Sequence, residues 1–188
     1  MDPQTTISIT EARKNIFKIV SDVEKTGARY TLTEKGKPKA VILSADEFDS
    51  WLETIEVMED WPNYQKDIDK VHKDIKSGKY LTYPTLEETM KLSGLFLAEN
   101  KAKYAVPNQI RAKRHKTTKK IPNKDILRIN EAINQLRHDP FVGKKLKGEL
   151  SSQYSLRVWP YRIIYEIFKS YLLVIILRIA HRQGVYKN

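Results

Sequence analysis

The sequence predicts an α+β protein made of two modules, and three observations carry that prediction. Residues 7–58 pass through strand-like and helix-like patterning in the order strand, helix, strand, strand, helix. The last thirty-five residues, YSLRVWPYRIIYEIFKSYLLVIILRIAHRQGVYKN, hold three short β runs with tight turns between them, preceded by an amphipathic helix. Charge divides the chain in the same way. Residues 1–100 carry 14 Lys and Arg against 18 Asp and Glu, a net of −4, whereas residues 101–188 carry 20 against 5, a net of +15. This asymmetry argues for two modules, the second facing a polyanion for which the acidic first module could compete, although a well-solvated basic surface fits the charge as well.

Composition excludes several classes. The absence of cysteine rules out a disulfide framework and thiolate metal sites. The four histidines, His72, His115, His138 and His181, are far apart in sequence, so no metal site and no cofactor are expected. The longest apolar run, Tyr171 to Leu177, is far too short to cross a bilayer, and the start of the chain lacks a basic region followed by an apolar core. A cytoplasmic protein without membrane contact is expected.

In residues 1–60, Ile7-Ser8-Ile9 alternates like a strand, and either Ser8 or Thr10 can cap the helix that follows. Ala12, Ile16, Ile19, Val20 and Val23 recur at helical spacing, and Gly27 is the stop. Tyr30–Thr33 and Ala40–Leu43 are strand-like, with Gly36 and Pro38 marking the turn. Ser44-x-x-Glu47 then caps a second helix whose apolar stripe is Phe48, Trp51, Leu52, Ile55 and Met58, ended by Trp61-Pro62. Sixty residues bury too small a core to stand alone, so self-association as a homodimer or higher oligomer is expected. The stretches TTISITEARKNIFKIV and TLTEKGKPKAVILSADEFDSWLET resemble the Phd/YefM antitoxin family, through the T-E-A-R start, the G-K-P turn and the S-x-x-E-F helix start. The resemblance implies a dimer that binds operator DNA, with Arg13 as the leading contact and Lys35 and Lys37 as weaker ones. A cation near a helix N-terminus sits poorly with the macrodipole, which is compatible with an external phosphate for Arg13, although a solvated side chain fits equally well. Glu34 departs from the pattern, standing where relatives often have a basic residue.

Residues 61–102 connect the modules. Tyr64, Ile68, Val71 and Ile75 form a narrow apolar stripe among alternating Lys and Asp, too little to fold without a partner surface. Lys79–Tyr83 is suited to add a strand to a sheet edge, and Thr85-x-x-Glu88 to cap a short helix. By resemblance this segment wraps a toxin, with Tyr64, Ile68, Val71, Ile75, Tyr80 and Leu81 as the neutralising contacts. Residues 90–103 read as the junction.

In residues 103–188, Tyr104-Ala105-Val106 is a strand candidate and residues 108–118 are basic and weakly helical. Ile126, Ile129, Ile133 and Leu136 define an amphipathic helix, and Tyr161, Ile163, Tyr165 and Ile167 face one side of the middle closing strand. A helix pair packed on an antiparallel sheet is the expected form. The order HDPF, KKLKG, YSLRV, YRIIYEI, IAHRQGVY resembles the RelE/ParE toxin superfamily. The resemblance implies a metal-free ribonuclease that cuts messenger RNA on the ribosome. Matched position by position, its catalytic residues are Lys145 and Lys147, Arg157 in the first closing strand, and Arg182 and Tyr186 near the end. The chemistry suits these residue types. A 2′-hydroxyl attacks the adjacent phosphorus and expels the 5′-oxygen, and the charge gathering on the phosphoryl oxygens needs fixed cations such as guanidinium forks. Clustered lysines can assist proton transfer, and a tyrosine can stack on a base. Arg162 and Arg178 read as structural, and His181 as a secondary acid. Trp159-Pro160 departs from relatives, which often have small or polar residues in that turn. A DNA-binding autorepressor with an inert toxin half, and a gyrase poison, are the alternative readings. With both halves in one chain, a short tether gives an effective concentration on the order of millimolar. The expected behaviour is self-inhibition, relieved by cleavage in residues 84–103 or by internal initiation at Met90.

Overall fold

The computed structural model describes residues 4–85, 88, 109–112 and 121–182. The chain forms two compact units, Met1–Leu52 and Glu53–Asn188.

In the first unit, β1 (Gln4–Ser8) lies parallel to β2 (Arg29–Glu34), which returns antiparallel as β3 (Lys37–Ile42). Of the two candidate caps the chain uses Ser8, whose Oγ accepts the Glu11 N–H at 3.1 Å. The stretch whose periodicity reads as one helix is in fact two, α1 (Ile9–Lys14) and α2 (Ile16–Thr26). They part at Asn15, whose backbone leaves the helical region at φ −115°, ψ 19°. The break changes which faces are buried. Ala12, Ile19 and Val23 form a small core with Ile7, Tyr30, Leu32 and Ile42, while Ile16 and Val20 stay exposed. Gly27 closes α2 at φ +71°, a left-handed conformation that costs glycine little. Lys35 and Gly36, both at positive φ, make a two-residue hairpin turn whose twist matches the strands it joins. Next, α3 (Ala45–Asp60) starts on Ser44, whose Oγ accepts the Glu47 N–H at 3.1 Å.

The second unit holds the end of α3, then α4 (Tyr64–Lys76), a 3-10 turn at Lys79–Thr82, β4 (Gln109–Ala112) and α5 (Asn123–His138). Four strands follow: β5 (Lys144–Lys145), β6 (Gln153–Val158), β7 (Tyr161–Phe168) and β8 (Leu173–His181). They form a five-stranded sheet in the order β4-β8-β7-β6-β5, antiparallel except that β4 runs parallel to β8. One face packs on α5: Ile129, Ile133 and Leu136 meet Tyr161, Ile163, Tyr165, Val174 and Ile176. The other packs on α3 and α4: Val57, Trp61, Ile68, Val71 and Ile75 meet Leu146, Leu150, Ile164, Leu173, Ile175 and Leu177. A sheet covered on both faces explains why β7 is buried continuously from Tyr161 to Glu166.

Two local expectations are corrected. Lys79–Thr82 is a 3-10 turn rather than a strand, started by Gly78 at φ +74°. Sheet-edge pairing falls instead to one bridge, Thr85 with Arg111. Thr85 and Glu88 also form the reciprocal capping box, at 2.7 and 3.3 Å. Within the weakly helical 108–118, residues 109–112 are the edge strand β4; Ile110 is buried in the α5 core, and pairing with β8 satisfies the backbone there. The candidate strand 104–106, the junction 90–103 and residues 113–118 lie outside the described residues.

Candidate active site

Sheet register gathers three arginines of the closing strands on one face. Arg157 on β6 pairs directly with Arg162 on β7, and on β8 Ala180 and Arg178 stand opposite Arg162 and Ile164. Strand alternation therefore puts Arg157, Arg162 and Arg178 on the same side. Arg182, one residue past β8, is fixed by its backbone N–H to the Pro160 carbonyl at 2.8 Å.

The end of α3 lies over this face, and it meets the arginines with carboxylates. Glu53 is fully buried: its Oε1 accepts the Ser155 hydroxyl at 2.5 Å and its Oε2 accepts the Arg157 Nε at 2.6 Å. Arg162, only 1% exposed, donates to Glu56, with Glu53 at 3.8 Å and Asp60 at 4.0 Å. Arg182 donates to the same Glu56 oxygen at 2.8 Å. Arg178 donates to the Asp60 carbonyl at 3.1 Å and lies 6.0 Å from the Trp61 ring centroid. Burial opposes the charge on Glu56, but hydrogen bonds from Arg182 and Arg162 outweigh it and hold its carboxyl below the usual range. Asp60 is the reverse case. Burial pushes its carboxyl up despite Arg162 and Arg178, and its Oδ2 has no hydrogen-bond partner among the described residues.

These acids were not singled out from the sequence. Glu53, Glu56 and Asp60 are spaced three and four apart, so they share one helix face. That spacing, set against the arginine-rich end of the chain, is the signal that identifies them. Thr54 joins them, its Oγ1 accepting the Lys147 N–H at 2.8 Å. Arg162 and Arg178, read from the sequence as structural, belong to the same cluster as Arg157 and Arg182.

The other expected site residues fall as follows. Lys145 is exposed on β5, and Lys147 just beyond it is half-buried. Tyr186 lies outside the described residues. His181 is exposed, its ring edge against Tyr161 at 5.2 Å. Ile68, Val71 and Ile75 are buried against the toxin-like sheet, and Tyr64 donates its hydroxyl to Glu149. Tyr80 is half-buried, its ring 5.9 Å from Tyr171. Leu81 leaves its side chain 60% exposed and offers its carbonyl to Arg111 at 2.8 Å. In the first unit, Arg13, Lys35 and Lys37 are all exposed. The electrostatic argument for Arg13 is corrected: α1 ends at Lys14, so Arg13 lies in its last turn, where the helix dipole favours a cation.

Two family models match the chain: the antitoxin Phd_YefM of type II toxin–antitoxin systems over residues 4–78, and the ParE toxin of type II toxin–antitoxin systems over residues 97–186. Toxin RelG of Mycobacterium tuberculosis is 36% identical over 71 residues, 37% of this chain and 82% of that protein. Antitoxin RelB of the same organism is 33% identical over 76 residues, 40% of this chain and 84% of that protein. Among solved structures, the toxin–antitoxin complex RelBE2 from Mycobacterium tuberculosis aligns with a TM-score of 0.43 and 26% identity, covering 50% of this chain and 99% of that one. The chain thus belongs to the Phd/YefM antitoxin family in its first half and to the RelE/ParE toxin superfamily in its second, a type II toxin–antitoxin pair joined in one polypeptide.

Proposed function

We propose that the second half is a ribosome-dependent messenger endoribonuclease and that the acidic end of α3 holds it inactive within the same chain. The observation that supports this reading best is the occupation of Arg157, Arg162 and Arg182 by Glu53 and Glu56. A carboxylate offers a guanidinium two acceptor oxygens much as a phosphate does. A phosphodiester arriving at this face must displace acids that belong to the same molecule. Once free, Arg157 and Arg182 stabilise the charge that builds on the phosphoryl oxygens as the 2′-hydroxyl attacks. Lys145 and Lys147 are the candidates for proton transfer, and Tyr186 for holding a base. In this reading the first half binds operator DNA through Arg13, Lys35 and Lys37, and self-associates through its exposed apolar side chains. The ribosome and messenger RNA are partners of the second half, in the cytoplasm.

The test is messenger cleavage on translating ribosomes by the full chain, by Glu53→Gln/Glu56→Gln, and by that variant with Arg182→Ala added, each checked for folding by circular dichroism. The expected result is cleavage by the double variant alone. A folded double variant that leaves messenger intact but blocks gyrase supercoiling supports the gyrase reading. One that does neither leaves a DNA-binding autorepressor with an inert toxin half.

A further inference from the structure

The turn between β6 and β7 is Trp159-Pro160, and the flanking residues Val158 and Tyr161 are each buried to 9% exposure. Trp159 is not. It is 67% exposed, the largest exposed fraction among the large apolar side chains described in the second unit. The Arg182 guanidinium stands over its ring, 5.9 Å from the centroid. That guanidinium is also the one that reaches Glu56, and Arg157 lies on β6 two residues before the indole in sequence. One exposed aromatic ring thus adjoins Arg182, an arginine of the anion site, and it belongs to neither core of the unit.

We propose that Trp159 is a stacking platform for an unpaired base of the RNA, placed so that the base rests on the indole while the adjoining phosphate takes the guanidiniums of Arg157 and Arg182. The inference rests on the ribonuclease reading above and adds to it how the strand is held. A nucleobase presents an apolar π face that suits a largely exposed indole, and stacking on an aromatic side chain tolerates any base. A duplex has its bases already stacked, so the platform selects single-stranded RNA. Arg182 has two roles here. It orients the indole from one side and binds phosphate with the nitrogens that now hold Glu56. When Glu56 withdraws, the arginine keeps its place through the ring and through the Pro160 carbonyl.

The experiment measures binding of two fluorescent ribose oligomers of equal length, one bearing bases and one abasic, to the full chain carrying Glu53→Gln/Glu56→Gln. Trp159→Phe and Trp159→Ala are then introduced into that background and into a second one, Glu56→Ala, which uncovers Arg182 with less change to the interior. Trp159→Ala is expected to weaken binding of the base-bearing oligomer about tenfold and to leave the abasic one unchanged, with Trp159→Phe retaining most of the affinity. Equal losses on both oligomers mean that the indole serves only to hold Arg182, and no loss on either means that it contacts no base; each result overturns the proposal while leaving the ribonuclease reading standing. If neither background binds the base-bearing oligomer, the ribonuclease reading itself fails and takes the platform with it.

Discussion

Glu53 has no solvent exposure, yet both its carboxylate oxygens are used, one by Ser155 and one by Arg157. A buried acid is tolerated only when its charge and lone pairs are matched. Removing it leaves Arg162 with one acid fewer, in a place where two of its nitrogens already have no hydrogen bond among the described residues. Breaking a buried pair by deleting one member costs roughly 3–5 kcal/mol. Arg157 is half-exposed and can turn to water, so Glu53→Ala is expected at the lower end, about 3 kcal/mol by urea unfolding. Gly143 is constrained by space rather than charge. A Cβ there meets the Tyr165 hydroxyl at 2.5 Å and the Ser155 carbonyl at 3.0 Å. That hydroxyl is already committed, accepting the Gly143 N–H and donating to the Pro140 carbonyl. Gly143→Ala is therefore expected to cost about 1–3 kcal/mol, seen as a lower midpoint in thermal unfolding.

At the scale of elements, α3 shows where hydrophobic periodicity informs and where it misleads. Of the apolar stripe Phe48, Trp51, Leu52, Ile55 and Met58, the first four are exposed and only Met58 is half-buried against the sheet core. The buried positions are Glu47, Ser50, Glu53, Thr54 and Val57. Periodicity assumes an apolar partner, whereas Glu53 and Glu56 lie against a row of guanidiniums, so their side of the helix is acidic. In α4 the partner is apolar sheet, and there the stripe of Ile68, Val71 and Ile75 reads correctly. The same logic separates β7, legible because apolar side chains stand on both its faces, Ile164 on one and Tyr161, Ile163 and Tyr165 on the other, from β4, which has four residues and the buried Ile110 to announce it. The break at Asn15 carries no glycine or proline and so left no mark in the sequence. These two stripes predict different failures. Ile75→Ala is expected to lose about 3 kcal/mol of stability, measured by urea unfolding. Phe48→Ser is expected to leave that midpoint nearly unchanged and to lower the mass seen by light scattering, since its side chain is 53% exposed and open to a second copy.

For the molecule as a whole, a chain with an acidic first half and a strongly basic second is held together partly by charge, so its stability must depend on pH, and the dependence can be assigned to two neighbouring acids of opposite sign. Glu56 is held below its usual value of 4.5 by Arg182 and Arg162 against the cost of burial. Its stabilising contribution is complete above that unfolded value and is lost as pH falls through the lowered folded value. Asp60 is raised above its usual 3.8, chiefly by burial. Its ionisation opposes folding at neutral pH, and this penalty fades as pH falls through the raised value and is gone below 3.8. Asp60→Asn is thus expected to be more stable than the natural chain at pH 7 and to lose that advantage on acidification. Glu56→Gln is expected to be less stable at pH 7 and to converge with the natural chain only below pH 4.5. Urea unfolding of the three proteins from pH 7 to pH 3 tests both curves. Parallel curves at every pH would mean that neither acid titrates with folding, and that apolar packing of α3 and α4 on the sheet, not the acids of α3, supplies the stability there.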